Sequence, residues 1–97
     1  YPAELERIVN QIDGVLEVAA FGIPHERWGE TPIVLCQISP GAPVSAEQVR
    51  EHVARELGSY MKPADVAIGT GMLPRTAVGK ISRRTAREAY LSGRKAG

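Results

Sequence analysis

Cysteine, histidine and aromatic residues are scarce in this sequence, and long apolar runs are missing. Its 97 residues include one cysteine, two histidines and 5% aromatic residues. Because Cys36 is alone, the sequence offers no internal disulfide and no cysteine-based zinc site, and it suits a reducing, cytoplasmic compartment. Its longest apolar stretches are four residues, as at Val18–Phe21, whereas a membrane-spanning helix needs about 20. We therefore predict no membrane span.

Common nucleotide-binding and hydrolase motifs are also missing. The Gly-Lys pair at positions 79 and 80 cannot belong to a P-loop, because Pro74 and Ile81 replace the required Gly and Ser or Thr. His25 in a predicted turn and His52 on the polar side of a predicted helix have no nucleophile nearby in the sequence. We therefore interpret both histidines as solvated, Cys36 as a small apolar core residue, and the metal-ligand set as empty.

The apolar spacing predicts a small α+β domain. Leu5, Ile8, Val9 and Ile12 recur on one helical face, and the Ser45 capping box opens a second helix. We predict helices at 3–12 and 46–57, and a third helix that begins after a cap at Ser82 and ends at 91. The predicted strands are 15–23, 31–38 and 65–68, and residues 92–97 are expected to fray. The resulting fold is a three-stranded, mainly antiparallel sheet flanked by helices, with an antiparallel first pair of strands.

Charge is unevenly distributed along the chain. Residues 75–97 carry seven basic groups and one acidic group, a balance of +6, whereas residues 1–74 carry five basic and ten acidic groups, a balance of −5. A basic C-terminal quarter is compatible with nucleic acid, with phosphorylated small molecules or with a solvated face against an acidic neighbour. Composition alone leaves these three readings open.

One segment has the character of a reactive loop. Leu73–Lys80 reads LPRTAVGK, in which Pro74 fixes one backbone angle and Gly79 allows a tight turn just before Lys80. A compact ammonium on a long stem is suited to neutralising two converging anions, such as a carboxylate meeting a phosphate. Without further information a surface lysine is more often a solvated charge.

This segment resembles the last motif of the adenylate-forming superfamily, which comprises acyl-CoA synthetases, peptide-synthetase adenylation domains and luciferases. The shared motif residues are Pro74, Arg75, Thr76, Gly79 and Lys80, together with Leu73. Four further segments resemble that family in the same order along the chain: residues 1–6, 15–24, 26–30 and 60–63. The resemblance covers nearly the whole sequence and lies within the small C-terminal domain of those enzymes.

The resemblance implies that residues 1–97 form the mobile C-terminal lid domain of an AMP-forming ligase. A separate N-terminal domain would bind the carboxylic acid, ATP and the Mg²⁺ that accompanies ATP, so this chain would bind no metal. Lys80 is then the catalytic lysine of acyl-adenylate formation. Because the sequence begins Tyr1-Pro2, we expect the N-terminal domain and the hinge to lie outside it, and we expect the 97-residue chain alone to be inactive.

The resemblance also implies that CoA receives the acyl group, and it marks Trp28, Tyr60 and Lys62 as the residues that contact CoA. An aromatic face can stack on adenine and a cation can bind a 3′-phosphate. The alternative for these side chains is structural packing for the aromatics and a solvated Lys62. Ala64 departs from the family, because relatives often have a basic residue there, and the Gly69-Thr70-Gly71 stretch is longer than usual.

Several alternatives remain at this stage. The domain could load a carrier protein in place of CoA, or it could be a small basic nucleic-acid-binding module, although only Tyr90 could stack on a base in the basic segment. A protein acetyltransferase acting on Lys80 would erase its charge. The carboxylic acid could be a fatty, aryl or short dicarboxylic acid, and a role in fatty acid metabolism is the broad expectation.

Overall fold

The computed structural model describes the backbone of residues 1–96 and the side chains of residues 1–93. Over this range the chain forms three α-helices and three strands, which confirms the α+β class. In chain order these are α1 (Pro2–Val9), β1 (Val15–His25), β2 (Gly29–Ile38), α2 (Ala46–Leu57), β3 (Asp65–Gly69) and α3 (Arg83–Ala96). A short 3-10 helix, which was not predicted, occupies Ser59–Met61.

The sheet is mixed, with the strand order β1-β2-β3. β1 and β2 are antiparallel, as predicted from their short connection, and His25 pairs with Gly29 at the turn. β2 and β3 are parallel. One of the two strand pairs is therefore antiparallel and the other parallel, whereas a mainly antiparallel sheet was predicted. The reason is the connection through α2, since a helical crossover returns the chain to the same end of the sheet.

Two helix boundaries differ from the prediction. α1 ends at Val9 instead of position 12, because the amides of Gln11 and Ile12 bond three residues back, to Ile8 and Val9, and tighten the last turn. Ile12 is nevertheless buried. α3 continues to Ala96, where fraying was predicted over 92–97; position 97 lies outside the described residues.

Alternating residues of β1 and β2 point to opposite faces of the sheet and build two cores. Ala20 and Val34 lie on the face that packs against α1 and α2, in the larger core. Against α3, Phe21 and Ile33 pack in the smaller one, and the Phe21 ring meets Tyr90 edge to face at 5.8 Å. The sheet is therefore covered on both sides, as its apolar strands require.

The outer edge of β1 is closed by charged side chains from both helical layers. The Glu6 carboxylate of α1 accepts a hydrogen bond from the Ala20 amide at 3.0 Å and a bidentate pair from the Arg83 guanidinium at 2.6 and 2.8 Å. Arg87 donates to the Gly22 carbonyl at 2.8 Å. These bonds satisfy edge groups that would otherwise be open to pairing with another chain, and they tie α1 to α3 around the strand.

Cys36 is buried on β2, as predicted for an apolar core residue. Burial raises the pKa of its thiol to about 11. The thiolate is the reactive form of cysteine, so this group is chemically quiet at neutral pH in the folded domain.

The carboxylate that closes the β1 edge predicts a measurable difference between two glutamates of α1. Glu6→Ala should lower the free energy of unfolding by about 2 kcal/mol, because the Ala20 amide loses its acceptor and Arg83 its partner. The matched control is Glu4→Ala, since Glu4 pairs with the exposed Arg7 and should contribute less than about 1 kcal/mol. Urea titrations of both variants would test this, and equal losses would contradict it.

Candidate functional site

The lysine motif folds into a narrow hairpin, where the sequence predicted an irregular loop. Arg75 and Ile81 face each other in an antiparallel bridge. Inside it, the Thr76 amide donates to the Lys80 carbonyl at 2.6 Å, and the Gly79 amide donates to the Thr76 carbonyl at 2.9 Å. The Lys80 amide also donates to the Thr76 hydroxyl at 3.2 Å. The backbone of Lys80 is therefore fixed by Thr76 on the opposite arm.

Two residues of the motif account for the shape of this hairpin. Gly79 has a φ of +87°, a left-handed conformation that a three-residue hairpin loop needs and that glycine adopts without strain. Pro74 supplies a carbonyl that accepts the Ser82 amide at 2.8 Å. That bond joins the base of the hairpin to the start of α3, so the hairpin cannot pivot independently of the helix.

Arg75 anchors the hairpin to the sheet. Its guanidinium donates to the Gly79 carbonyl at 2.8 Å and to the Glu17 carboxylate of β1 at 3.1 Å. One side chain thus closes the loop and attaches it near the beginning of β1. This role was not predicted, because Glu17 lies 58 positions away in the sequence.

Lys80 itself is exposed at this hairpin. Within the part of the chain whose side chains are described, its ammonium makes no ion pair or hydrogen bond, whereas Arg75 beside it is already paired. A lysine on a fixed backbone with an uncommitted ammonium can be brought to a pair of anions without first breaking an internal contact.

Among the side chains described in the C-terminal quarter, the arginines have partners within the domain. Three arginines form ion pairs: Arg75 with Glu17, Arg83 with Glu6, and Arg84 with Glu88. Two of those pairs join the basic quarter to the acidic remainder of the chain. These two pairs therefore offset part of the uneven charge distribution inside the fold.

Trp28, Tyr60 and Lys62 line a single open cleft of about 520 Å³. The rest of its lining comes from Ser59 of the 3-10 helix and from the first residues of β2: Glu30, Thr31 and Pro32. Trp28 is 69% exposed and Tyr60 is 81% exposed. Both aromatic residues are thus presented to solvent, and neither belongs to the two cores.

The wall of this cleft is held by backbone contacts around the 3-10 helix. Gly58 has a φ of +101°, and a Cβ there would come within 2.8 Å of the Tyr60 ring, so glycine allows the ring to lie over the end of α2. Beyond Lys62, the carbonyls of Pro63 and Ala64 accept hydrogen bonds from Arg50 at 3.2 and 2.8 Å. The segment carrying Tyr60 and Lys62 is thereby fixed to α2.

Lys62 and Glu30 are the charged residues that line the cleft. The pKa of the nearby Tyr1 hydroxyl is raised, first by burial and second by the Glu30 carboxylate. Because Ala64 is apolar, Lys62 is the cation among the residues that line this cleft.

His25 is not the solvated residue that the sequence predicted. It is half-buried, and its Nδ1 atom accepts hydrogen bonds from the amides of Arg27 and Trp28 at 3.1 and 3.3 Å. Its ring stacks on the Trp28 indole with centroids 4.3 Å apart. His52 is also half-buried and lies 3.1 Å from the Gln11 side chain; neither histidine contacts a nucleophile in these bonds.

The lysine hairpin and the Trp28 cleft lie at opposite ends of β1. Arg75 attaches the hairpin at Glu17, and the cleft begins at the turn after His25. These two positions are eight residues apart in the strand, which corresponds to about 26 Å. The points at which the hairpin and the Trp28 turn are attached to β1 therefore lie at opposite ends of the strand.

The described residues contain neither a metal-ligand cluster nor a membrane-spanning helix. No group of three or more His, Cys, Asp or Glu side chains there is placed to hold a metal ion. No helix of the described chain combines the length and apolarity that crossing a membrane requires.

The family model and the related proteins that this chain matches agree with each other. Residues 4–80 match the family model of the AMP-binding enzyme C-terminal domain. The chain is 36% identical over 90 residues to the long-chain-fatty-acid–CoA ligase FadD13 of Mycobacterium tuberculosis, covering 93% of this chain and 18% of that protein. It is 33% identical over 90 residues to the fatty acid–[acyl-carrier-protein] ligase ScoC of Streptomyces coeruleorubidus, covering 93% and 17% respectively.

A solved structure has the same fold as this chain. A fatty acyl CoA synthetase from Mycobacterium tuberculosis superimposes with a TM-score of 0.84 and 34% identity, covering 96% of this chain and 18% of that one. The chain thus spans less than a fifth of the length of the relatives that it matches. It belongs to the family of AMP-binding enzyme C-terminal domains.

Proposed function

We propose that this chain is the mobile C-terminal domain of an AMP-forming carboxylic acid–CoA ligase, acting together with an N-terminal domain that binds ATP and the acid. The observation that carries the proposal is the placement of two chemically different surfaces at opposite ends of β1. One presents the uncommitted Lys80 ammonium, and the other presents two exposed aromatic rings beside Lys62. Such a domain would serve two successive steps by turning first one surface and then the other toward the reactants.

In the first step Lys80 assists acyl-adenylate formation. A carboxylate oxygen attacks the α-phosphorus of ATP, and the bond between that phosphorus and pyrophosphate breaks. Two anions must approach each other, so a cation between them lowers the repulsion and holds the attacking oxygen in place. The ammonium need not exchange a proton. The hairpin bonds to Thr76 support this role because they fix the backbone from which the side chain extends.

In the second step the Trp28 cleft receives the nucleotide end of CoA. The thiolate of CoA attacks the acyl carbon, and AMP leaves with the electrons of the broken bond. An exposed indole offers a face for adenine, and the Lys62 ammonium can pair with a phosphate of the CoA nucleotide. Tyr60 on the opposite wall completes an aromatic lining.

Lys80 should be required for adenylation in the full-length enzyme. We expect Lys80→Met to reduce ATP–pyrophosphate exchange by about 100- to 1,000-fold, the loss typical of removing one group that stabilises transition-state charge. Transfer of a preformed acyl-adenylate to CoA should be retained. The matched control is Arg84→Met, which removes an exposed cation of the same basic segment. Exchange within twofold of the native rate in Lys80→Met would refute the assignment.

Trp28 should govern affinity for CoA without affecting adenylation. In the full-length enzyme, Trp28→Ala should raise the KM for CoA about 10-fold, because aromatic stacking contributes about 1–3 kcal/mol per base. Trp28→Phe keeps an aromatic face and should recover most of the loss. ATP–pyrophosphate exchange, in which CoA takes no part, is the internal control. An unchanged KM in Trp28→Ala would argue against a nucleotide site in this cleft.

We propose CoA in preference to a carrier protein as the acceptor, and the lining of the cleft supports this choice. Relatives of both kinds are known, as the names of FadD13 and ScoC indicate. A carrier protein brings no adenine nucleotide, so the pair of exposed aromatic rings beside a cation favours CoA. Saturable binding of CoA by the full-length enzyme, lost in Trp28→Ala, is the outcome that this preference requires.

Internal ion pairing argues against the nucleic-acid alternative. Three arginines of the basic quarter already bind carboxylates within the domain, so they are less available for a phosphate backbone. We therefore propose no nucleic-acid partner.

Lys80 is also our proposed site of reversible acetylation by a protein acetyltransferase. Its exposure makes the ammonium accessible, and acetylation would remove the charge on which adenylation depends. Mass spectrometry of protein from its native cell should find Lys80 acetylated in a fraction of molecules whose ATP–pyrophosphate exchange is lost. Exchange at the native rate by fully acetylated protein would contradict this regulation.

The remaining cofactor and location follow from this function. We propose that Mg²⁺ accompanies ATP in the N-terminal domain and that the enzyme works in the cytoplasm, which suits a free, reduced Cys36. The acid selected depends on residues of the N-terminal domain.

A further inference from the structure

We propose that His25 is a positioning residue for CoA, because it fixes the Trp28 indole in the orientation that receives the nucleotide. This inference rests on the nucleotide site proposed above, and it assigns a role to a side chain outside the cleft lining. His25 and Trp28 lie three residues apart at the turn between β1 and β2.

The first supporting observation is the hydrogen bonding of this turn. His25 is the last residue of β1, and Gly29 opposite it has a φ of +79°. The Nδ1 atom of His25 accepts hydrogen bonds from the amides of Arg27 and Trp28, as an Asn or Asp oxygen does in an Asx turn. The imidazole therefore sets the backbone from which the indole projects.

The second observation is the stack itself. The His25 and Trp28 rings lie 4.3 Å apart and only 13° from parallel, an arrangement that limits rotation of the indole. Trp28 is nevertheless 69% exposed. The imidazole thus covers one face of the indole and leaves the other available.

The third observation is the position of Trp28 between two concave surfaces. It lines the cleft with Tyr60 and Lys62, and it also lines a shallow groove that includes His25 and Arg27. His25 does not line the cleft. An adenine entering the cleft would extend the stack, so the order would be imidazole, indole and adenine.

The contacts of His25 are local to the turn between β1 and β2. His25 and Trp28 belong to neither apolar core, and the turn lies at the end of the sheet. A substitution of His25 should therefore leave the fold intact while allowing the indole to adopt other orientations. This separation makes the inference testable by kinetics.

The experiment uses three variants of the full-length enzyme: His25→Ala, His25→Asn and His25→Phe. We expect His25→Ala to raise the KM for CoA about 3- to 10-fold, since it removes two hydrogen bonds and a ring stack. His25→Asn restores the acceptor and His25→Phe restores the stack, so each should recover part of the loss. The rate of ATP–pyrophosphate exchange should not change, because CoA takes no part in it.

The matched control is His52→Ala, which removes the other histidine of the chain, on α2, where it contacts Gln11. It should leave the KM for CoA unchanged. A native KM in His25→Ala, together with an impaired Trp28→Ala, would overturn this inference and leave the nucleotide site standing. A native KM in Trp28→Ala would overturn the nucleotide site itself. A fall in exchange rate in His25→Ala would show that His25 acts on the fold as a whole, which also overturns the inference.

Discussion

Strand β1 is the constraint on which the rest of the domain depends. Glu17 near its beginning holds the lysine hairpin through Arg75, and His25 at its end holds the turn that carries Trp28. Between them, the Ala20 amide is bonded by Glu6 of α1 and the Gly22 carbonyl by Arg87 of α3. A strand fixed on both sides cannot bend freely, so the distance between the two candidate surfaces is a property of the fold.

Charge pairing has a second consequence besides closing the edge of β1. Because the arginines of the basic segment bind carboxylates of α1 and β1, their charges stabilise the attachment of the last third of the chain. The hydrogen bonds of Arg83 to Glu6 also raise the pKa of its guanidinium. Lys80 stands apart, with no ion pair among the side chains that the structure describes. Among the described side chains, Arg75 and Arg83 therefore hold the basic segment to the rest of the domain, and Lys80 takes no part in this pairing.

Local patterns were sufficient for much of the fold but not for the site. The apolar spacing of Leu5 and Ile8 and the cap at Ser45 predicted α1 and α2, because those signals act within one or two turns. The parallel pairing of β3 was missed because it depends on how the α2 crossover packs. Only the family resemblance suggested that Trp28 and Tyr60 line the same cleft. The periodicity of apolar residues cannot predict contacts between residues 32 positions apart. The role of His25 needed the ring geometry, although its bonds are local.

The spacing along β1 also bears on how a domain of this size could serve two reactions. A lysine ammonium reaches only about 6 Å from its own backbone, whereas the attachment points of the two surfaces are about 26 Å apart along β1. Unfolding the hairpin is not another way to exchange the two surfaces, because it would break the bonds of the hairpin to the start of α3 and to Glu17. In the proposed function, rotation of the whole domain would exchange the two surfaces without breaking the contacts that hold either of them. The bonds that fix β1 on both sides support this proposal, because they would let the two surfaces turn together as one body.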